Sequence, residues 1–440
     1  MKIRTFQSGK GDCLLINSGE VNILVDGGVT NAYTKFISKE LTKLKRKKVS
    51  IDLACVSHID DDHIGGFLQM IEDLVDWRVY DFQKKNGNNV IKKPLSNRPP
   101  EIKEIWHNAF HDVVPENAGE IEDMLAASAD ILSASENPLL VQMGEIAFSK
   151  AQAIQLSRRL KPQQLNIPLN AFFDGKLAMF RQNTPTKTLG NLQISMIAPF
   201  KEDLDQLRKE WNKWLDESQA QVQKIREKVD KDLDSLITGT APEITFFEAL
   251  ADEWAPALLS QIDTAVKVLG KRQKVTTPNL ASIMFLVEEG TKTLLMTGDG
   301  HWQDILKGLK ATGKLDEQQG LHLDVLKVQH HGSEHNLSDD FCKVITATNY
   351  IFCGNGENEN PDLDVVRAIV KSRTTNPAIT QQAKNKFTLW FNCDSNADSN
   401  LAARAHMKSL ELLLADLSSQ FPKLKFKFLN TAKGFFDLTI

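Results

Sequence analysis

The chain has 440 residues, of which 41% are hydrophobic and 25% are charged, a composition that excludes a disordered or low-complexity protein. Its formal net charge of −4 gives no overall attraction to nucleic acids or anionic membranes, so such a role would need a dedicated site. The sequence has no long uninterrupted apolar stretch, and its five cysteines are scattered without a CxxC pair. We therefore expect a cytoplasmic protein with reduced thiols and no membrane association.

The N-terminal part of the chain predicts short strands and one helix. Apolar alternation predicts strands in KIRTFQ, DCLLINS and VNILVDGG, then a helix over about 31–47, then a strand in IDLACVS. The last of these strands ends at Ser57. The side chains after it therefore fall at the carboxyl edge of a sheet, where α/β proteins collect ligand groups.

The segment SHIDDDHIGG, residues 57–66, places two histidines and three aspartates within six positions. Neighbouring carboxylates repel one another, and a bound divalent cation removes that conflict. Imidazole beside carboxylate favours zinc, manganese or iron over calcium or magnesium. In an extended loop His58 and Asp60 can share one metal, while Asp62 and His63 can face a second. The alternative is an acidic helix N-terminus with two incidental histidines.

The middle of the chain predicts helices. Helical apolar spacing indicates an inserted segment over 113–165 and a second over 201–275. Within the second, apolar residues recur at three- and four-residue steps over 204–236, which predicts a long amphipathic helix. We expect that helix to pack on the domain, on a second copy of the chain or on a protein partner.

Two further strand ends carry metal-binding residue types. The hairpin ASIMFLVEEGTKTLLMTGDG ends at Asp299, a single carboxylate suited to bridging two cations, and LDVLKVQHHGS ends at His330 and His331. Each motif is weak alone, but the set is specific because all its members follow strands. From about 375 to 440 a C-terminal extension predicts one helix and two closing strands.

Together with DGG at 26–28, these motifs resemble the metallo-β-lactamase superfamily, in particular its ComEC-type branch with H-x-D-x-D-H. The resemblance covers roughly residues 1–70 and 279–360. It implies an α/β fold, an αββα sandwich formed by residues 1–440 as a single domain. Segments 113–165 and 201–275 are then helical insertions, and 375–440 is an extension that closes the sandwich.

The resemblance also implies a site for two divalent ions, zinc or manganese. By this implication His58 and Asp60 bind the first metal, Asp62 and His63 bind the second, and Asp299 bridges them. His331 completes the second site, His330 contacts the substrate or assists the leaving group, and Asp26 orients the ligands. The family needs one more histidine, for which His107, directly after EIKEIW, is preferred and His111 is the alternative.

The implied activity is hydrolysis by a water that two metal ions activate, with Asp60 or Asp62 accepting its proton and His330 donating to the leaving group. A phosphodiesterase, in particular a nuclease acting on nucleic acid, is the first hypothesis. The second is a hydrolase of a small ester, lactone or amide, with the helical insertions as a lid. The third is a partner-dependent component of a multi-protein system, conceivably in defence. One departure bears on the substrate: Asn360, before Pro361, replaces the family's histidine.

Overall fold

The computed structural model describes residues 1–108, 152, 155–157, 159–205 and 277–440, apart from gaps at 317, 375–378, 381, 383–384, 398–399 and 431. His111 lies outside these residues. So do most of the segment 113–165 and nearly all of 201–275, including the pattern over 204–236. The predictions made for these parts of the chain therefore remain predictions.

The first sheet has six strands in the order β14-β1-β2-β3-β4-β5. Their bounds are β1 Lys2–Phe6, β2 Leu14–Ser18, β3 Val21–Val25, β4 Leu53–Cys55, β5 Ile105–Trp106 and β14 Phe435–Thr439. The pairs β14–β1, β1–β2 and β2–β3 are antiparallel, whereas β3, β4 and β5 run parallel. The last strand of the chain thus forms the edge beside the first strand.

The second sheet has eight strands in the order β13-β12-β11-β10-β9-β8-β7-β6. Their bounds are β6 Lys187–Leu189, β7 Leu192–Ala198, β8 Met284–Glu289, β9 Lys292–Met296, β10 Leu321–Lys327, β11 Ile345–Phe352, β12 Phe387–Phe391 and β13 Leu424–Phe428. Strands β9 to β13 are parallel, and β6 to β9 form antiparallel pairs.

Helices cover the outer face of each sheet. They include α1 Thr30–Ala32, which continues as a π-helical turn over Tyr33–Ile37, α2 Ser38–Arg46, α3 Asp61–Lys85, α4 Thr277–Leu280, α5 Trp302–Ala311, α6 Asp339–Val344, α7 Leu363–Thr374 and α8 Leu401–Gln420. Among the helices of the described residues none is long and apolar enough to cross a bilayer.

Three apolar clusters define four layers. One cluster joins α1 to α3 to the first sheet, and another joins α5 to α8 to the second. The third lies between the sheets, where Ile23 and Leu53 of the first meet Phe285 and Val325 of the second. The order is therefore helix, sheet, sheet, helix, and the predicted α/β sandwich is confirmed.

The topology brings the carboxyl ends of parallel strands from both sheets to one edge. Strands β3, β4 and β5 end just before Asp26, His58 and His107, whereas β9 and β10 end just before Asp299 and His330. Parallel strands present their polar termini in one direction, so these side chains share one end of the sandwich.

Candidate metal centre

The backbone around the first motif is held by close glycine packing. Helix α3 begins at Asp61, and its first turn carries Asp61 and Asp62, whose charges suit a helix N-terminus. The Gly66 amide donates to Gly28 O at 2.7 Å, and a Cβ on Gly66 would lie 2.1 Å from Gly27 O. The helix therefore starts against the loop after β3, which places His63 beside Asp26.

Asp26 holds the first motif in place. Its carboxylate accepts hydrogen bonds from the Ser57 amide at 2.6 Å, the Ser57 hydroxyl at 2.8 Å and His63 Nδ1 at 3.0 Å. Because Nδ1 of His63 donates to Asp26, Nε2 is left to face the centre of the site. This is the contact that the orienting role of Asp26 requires.

Asp299 lies between the two groups of ligands. Its Oδ1 is 3.4 Å from His63 Nε2, and its Oδ2 is 3.1 Å from His331 Nε2 and 3.7 Å from His58 Nε2. His58 Nε2 is also 3.5 Å from Asp60 Oδ2. Asp299 thus contacts residues from both expected metal sites, which is the placement a bridging carboxylate needs.

The second group of ligands gathers around His331. Its Nε2 lies 3.2 Å from Asp62 Oδ2 and 3.4 Å from His63 Nε2, while its Nδ1 donates to Cys353 O at 2.7 Å. That backbone hydrogen bond directs Nε2 at the other ligands, as for metal-binding histidines in general. Six of the predicted ligands therefore meet in one cluster: His58, Asp60, Asp62, His63, Asp299 and His331.

His107 is fully buried and follows β5, the strand beside β4. Its backbone is clamped by Asn170, which accepts from the His107 amide at 3.0 Å and donates to the His107 carbonyl at 2.9 Å. This placement puts His107 at the same sheet edge as His58. The choice between His107 and His111 stays a prediction, since His111 lies outside the described part of the chain.

Asp61 points away from this cluster. Its Oδ1 accepts a hydrogen bond from Gln152 Nε2 at 2.8 Å, whereas the neighbouring Asp62 contacts His331. Adjacent aspartates of one motif therefore have different surroundings, which provides a matched pair for mutation.

Two residues at the site went unnoticed in the sequence. Lys327 and Asp12 are buried and form a close ion pair, and Lys327 Nζ also lies 3.7 Å from Asp299 Oδ1. Asp12 Oδ1 is 3.4 Å from His331 Nδ1. Lys327 lies on the same face of its strand as Val325, which packs between the sheets. A lysine at a position that alternates with buried apolar residues was therefore the sequence signal for a buried charge.

Opposing charges set the protonation of the cluster. Burial lowers the pKa of His63, but nearby carboxylates, Asp299 first, outweigh it and hold that pKa well above its ordinary value. The pKa of His331 is raised for the same reasons. Burial raises the pKa of Asp299, yet His331 and His63 bring it well below the usual range. Without a metal, protons on the two imidazoles balance the carboxylates.

The donor set fits divalent metal ions. His58 Nε2 is buried and makes no hydrogen bond with the described residues, although two carboxylates lie within 3.7 Å of it. Such spacing suits oxygen and nitrogen ligands that converge on a cation rather than on each other. The described residues contain two groups of possible ligands, Asp12–His63–His331 and His58–His63–Asp299. Within each group the donor atoms all lie within 4.8 Å of one another.

Part of the chain that contains the first motif is similar to a known protein family. Residues 8–74 match the model of the metallo-beta-lactamase superfamily. The matched segment contains Asp12, Asp26 and the whole SHIDDDHIGG motif, whereas Asp299 and His331 lie beyond it. The similarity to that superfamily therefore covers less than a sixth of the chain, including the first of the motifs that form the cluster.

Among solved structures, the chain is similar to the metallo-beta-lactamase fold protein YhfI from Bacillus subtilis, with 12% sequence identity and a TM-score of 0.34. The alignment covers 99% of this chain and 98% of that one. No curated protein matches the sequence significantly.

Proposed function

We propose that this protein is a hydrolase that uses two divalent metal ions, zinc or manganese, and that its substrate is a phosphodiester, in particular a nucleic acid. The observation that carries the proposal is the position of Asp299, whose two carboxylate oxygens face His63 on one side and His58 and His331 on the other. The phosphodiester class is supported by the H-x-D-x-D-H pattern of the ComEC-type branch.

The residues of the site form a buried floor and a solvent-accessible mouth. The side chains of His63 and Asp299 are 0% and 3% exposed, whereas those of Asp60 and His330 are 38% and 25% exposed. Substrate therefore meets Asp60 and His330 first. When bound, two divalent cations supply charge neutralisation at the attacking and leaving oxygens and lower the pKa of water.

The chain's own groups handle the proton and the ligand geometry. Three groups are placed to accept the proton of the attacking water: Asp60 and His330 at the mouth, and Asp62 beside His331. Asp26 holds His63 in position and Cys353 O holds His331. Lys327 offsets part of the negative charge that Asp12 and Asp299 bring into the buried floor of the site.

Activity on bis-p-nitrophenyl phosphate by metal-loaded protein tests the proposal directly. We expect turnover with the wild-type chain, a loss of at least about a hundredfold in Asp299→Asn, and retention in Asp61→Asn, the matched control outside the cluster. Single-stranded DNA, double-stranded DNA and RNA then define the natural class. Inactivity on all diesters, together with turnover of lactones or esters, would replace the phosphodiester assignment by the small-substrate alternative.

A further inference from the structure

Asn336 connects the TGDG turn to the HHGS turn. Its side chain is fully buried, and its Nδ2 donates to the backbone carbonyls of Asp299 at 2.8 Å and Gly300 at 3.2 Å. A carbonyl oxygen only accepts, so the NH₂ end of this amide must face those two carbonyls. The orientation of the amide is therefore fixed by its backbone partners.

The other end of the same amide faces His330. Asn336 Oδ1 lies 2.7 Å from His330 Nδ1. Because an amide oxygen cannot donate, His330 Nδ1 must carry the proton of this hydrogen bond, and in a neutral imidazole Nε2 then has a free lone pair. That Nε2 points into the site, 3.6 Å from Asp299 Oδ2 and 3.5 Å from Asn279 Nδ2.

We propose that Asn336 is a positioning residue that holds His330 in the Nδ1–H tautomer, so that His330 enters the reaction as a proton acceptor through Nε2. The catalytic meaning rests on the proposed hydrolase function, whereas the tautomer does not. The sequence suggested that His330 donates to the leaving group. In this tautomer it has no proton at Nε2 to donate until it has accepted one.

The order of proton transfers follows from this tautomer. An O–H bond of the attacking water breaks as its oxygen bonds to phosphorus, and its proton bonds to His330 Nε2, giving an imidazolium beside the Asp299 carboxylate. The bond from phosphorus to the departing oxygen breaks and that oxygen takes a proton from solvent, while the N–H bond at Nε2 breaks as its proton passes to solvent and the imidazole returns to its neutral form. His330 thus moves one proton per turnover, and no other reactant is required.

The direct test is nuclear magnetic resonance of the full chain labelled with ¹⁵N-histidine, in metal-free and zinc-loaded forms. We expect His330, assigned by the loss of its signals in His330→Gln, to show a protonated Nδ1 and an unprotonated Nε2 in both forms. A protonated Nε2 would overturn the proposal. A shift of Nε2 typical of metal coordination on zinc loading would also overturn it, since His330 would then be a ligand.

Two variants separate positioning from general stability. In Asn336→Ala the hydrogen bond to Nδ1 is lost, and we expect mixed tautomers and a fall in kcat of about tenfold, with KM and zinc content unchanged. Gln329→Met removes a buried amide that donates to Asn336 O at 3.0 Å but leaves the hydrogen bond between Asn336 and His330 in place, and it should keep the tautomer. An unchanged His330 spectrum in folded Asn336→Ala would refute the role of Asn336. If the wild-type chain showed the Nδ1–H tautomer of His330 but did not hydrolyse diesters, the proposed function alone would be refuted.

Discussion

Nε2 of His63 and Nε2 of His331 face each other at 3.4 Å although the residues are 268 positions apart. His63 is held from behind by Asp26 and His331 by Cys353 O, so neither imidazole is free to turn away. A shared proton or a bound cation stabilises two ring nitrogens at this distance, and the Asp299 carboxylate lies beside both of them.

Metal affinity should rise with pH. The pKa values of His63 and His331 lie well above normal in the metal-free chain, because nearby carboxylates outweigh burial, and metal binding must displace their protons. Isothermal titration in buffers of different ionisation enthalpy should therefore show proton release on zinc binding. Zinc affinity that is independent of pH would contradict this description of the cluster.

The same two histidines give the metal-free protein a distinct pH dependence of stability. A histidine whose pKa is raised by folding stabilises the folded state. This stabilisation is complete at pH values below the pKa of the unfolded chain, and it is lost as the pH rises through the pKa of the folded chain. The free energy of unfolding contributed by these groups should thus fall with rising pH without metal and rise with pH in excess zinc. Urea titrations at several pH values measure both slopes, and parallel slopes would count against the assignment.

Asp62→Asn and Asp61→Asn should differ sharply. Asp62 contacts His331 at 3.2 Å, so its replacement should weaken metal binding by about 10- to 100-fold. Asp61 accepts a hydrogen bond from Gln152 outside the cluster, and Asp61→Asn should bind zinc like the wild type. Competition with a chromophoric chelator measures both affinities, and equal losses in the two variants would remove the distinction between these aspartates.

Replacement of Lys327 should destabilise the fold. Lys327→Met leaves the buried Asp12 carboxylate without its cation, which costs about 3–5 kcal/mol of unfolding free energy in comparable buried pairs. Lys103→Met, which removes an exposed ion pair to Asp52 at 2.7 Å, is the control and should cost at most about 1 kcal/mol. Chemical denaturation measures both changes, and Asp12→Asn combined with Lys327→Met should recover part of the loss.

The sequence located most of the cluster because its members follow strands whose apolar patterns are clear. His58, Asp299 and His331 each come within four residues of such an end. Asp12 gives no local signal, because it is a lone aspartate in a loop, and the one signal for Lys327 is a lysine at a strand position that alternates with buried apolar residues. Their roles arise only where loop and strand meet, between residues far apart in the chain.

The role of Asn336 was equally hidden from the sequence. Its effect depends on the orientation of one amide between two turns, which only three-dimensional contacts determine. The helical insertions predicted over 113–165 and 201–275 remain predictions, because most of their residues lie outside the described structure.

The proposed requirement for two metal ions at Asp299 can be measured by titrating metal-free protein with zinc or manganese while following bis-p-nitrophenyl phosphate hydrolysis. We expect metal-free protein to be inactive and the rate to rise until two equivalents of metal are bound per chain, then to stay constant. Full activity without metal, or saturation at one bound equivalent, would contradict this requirement.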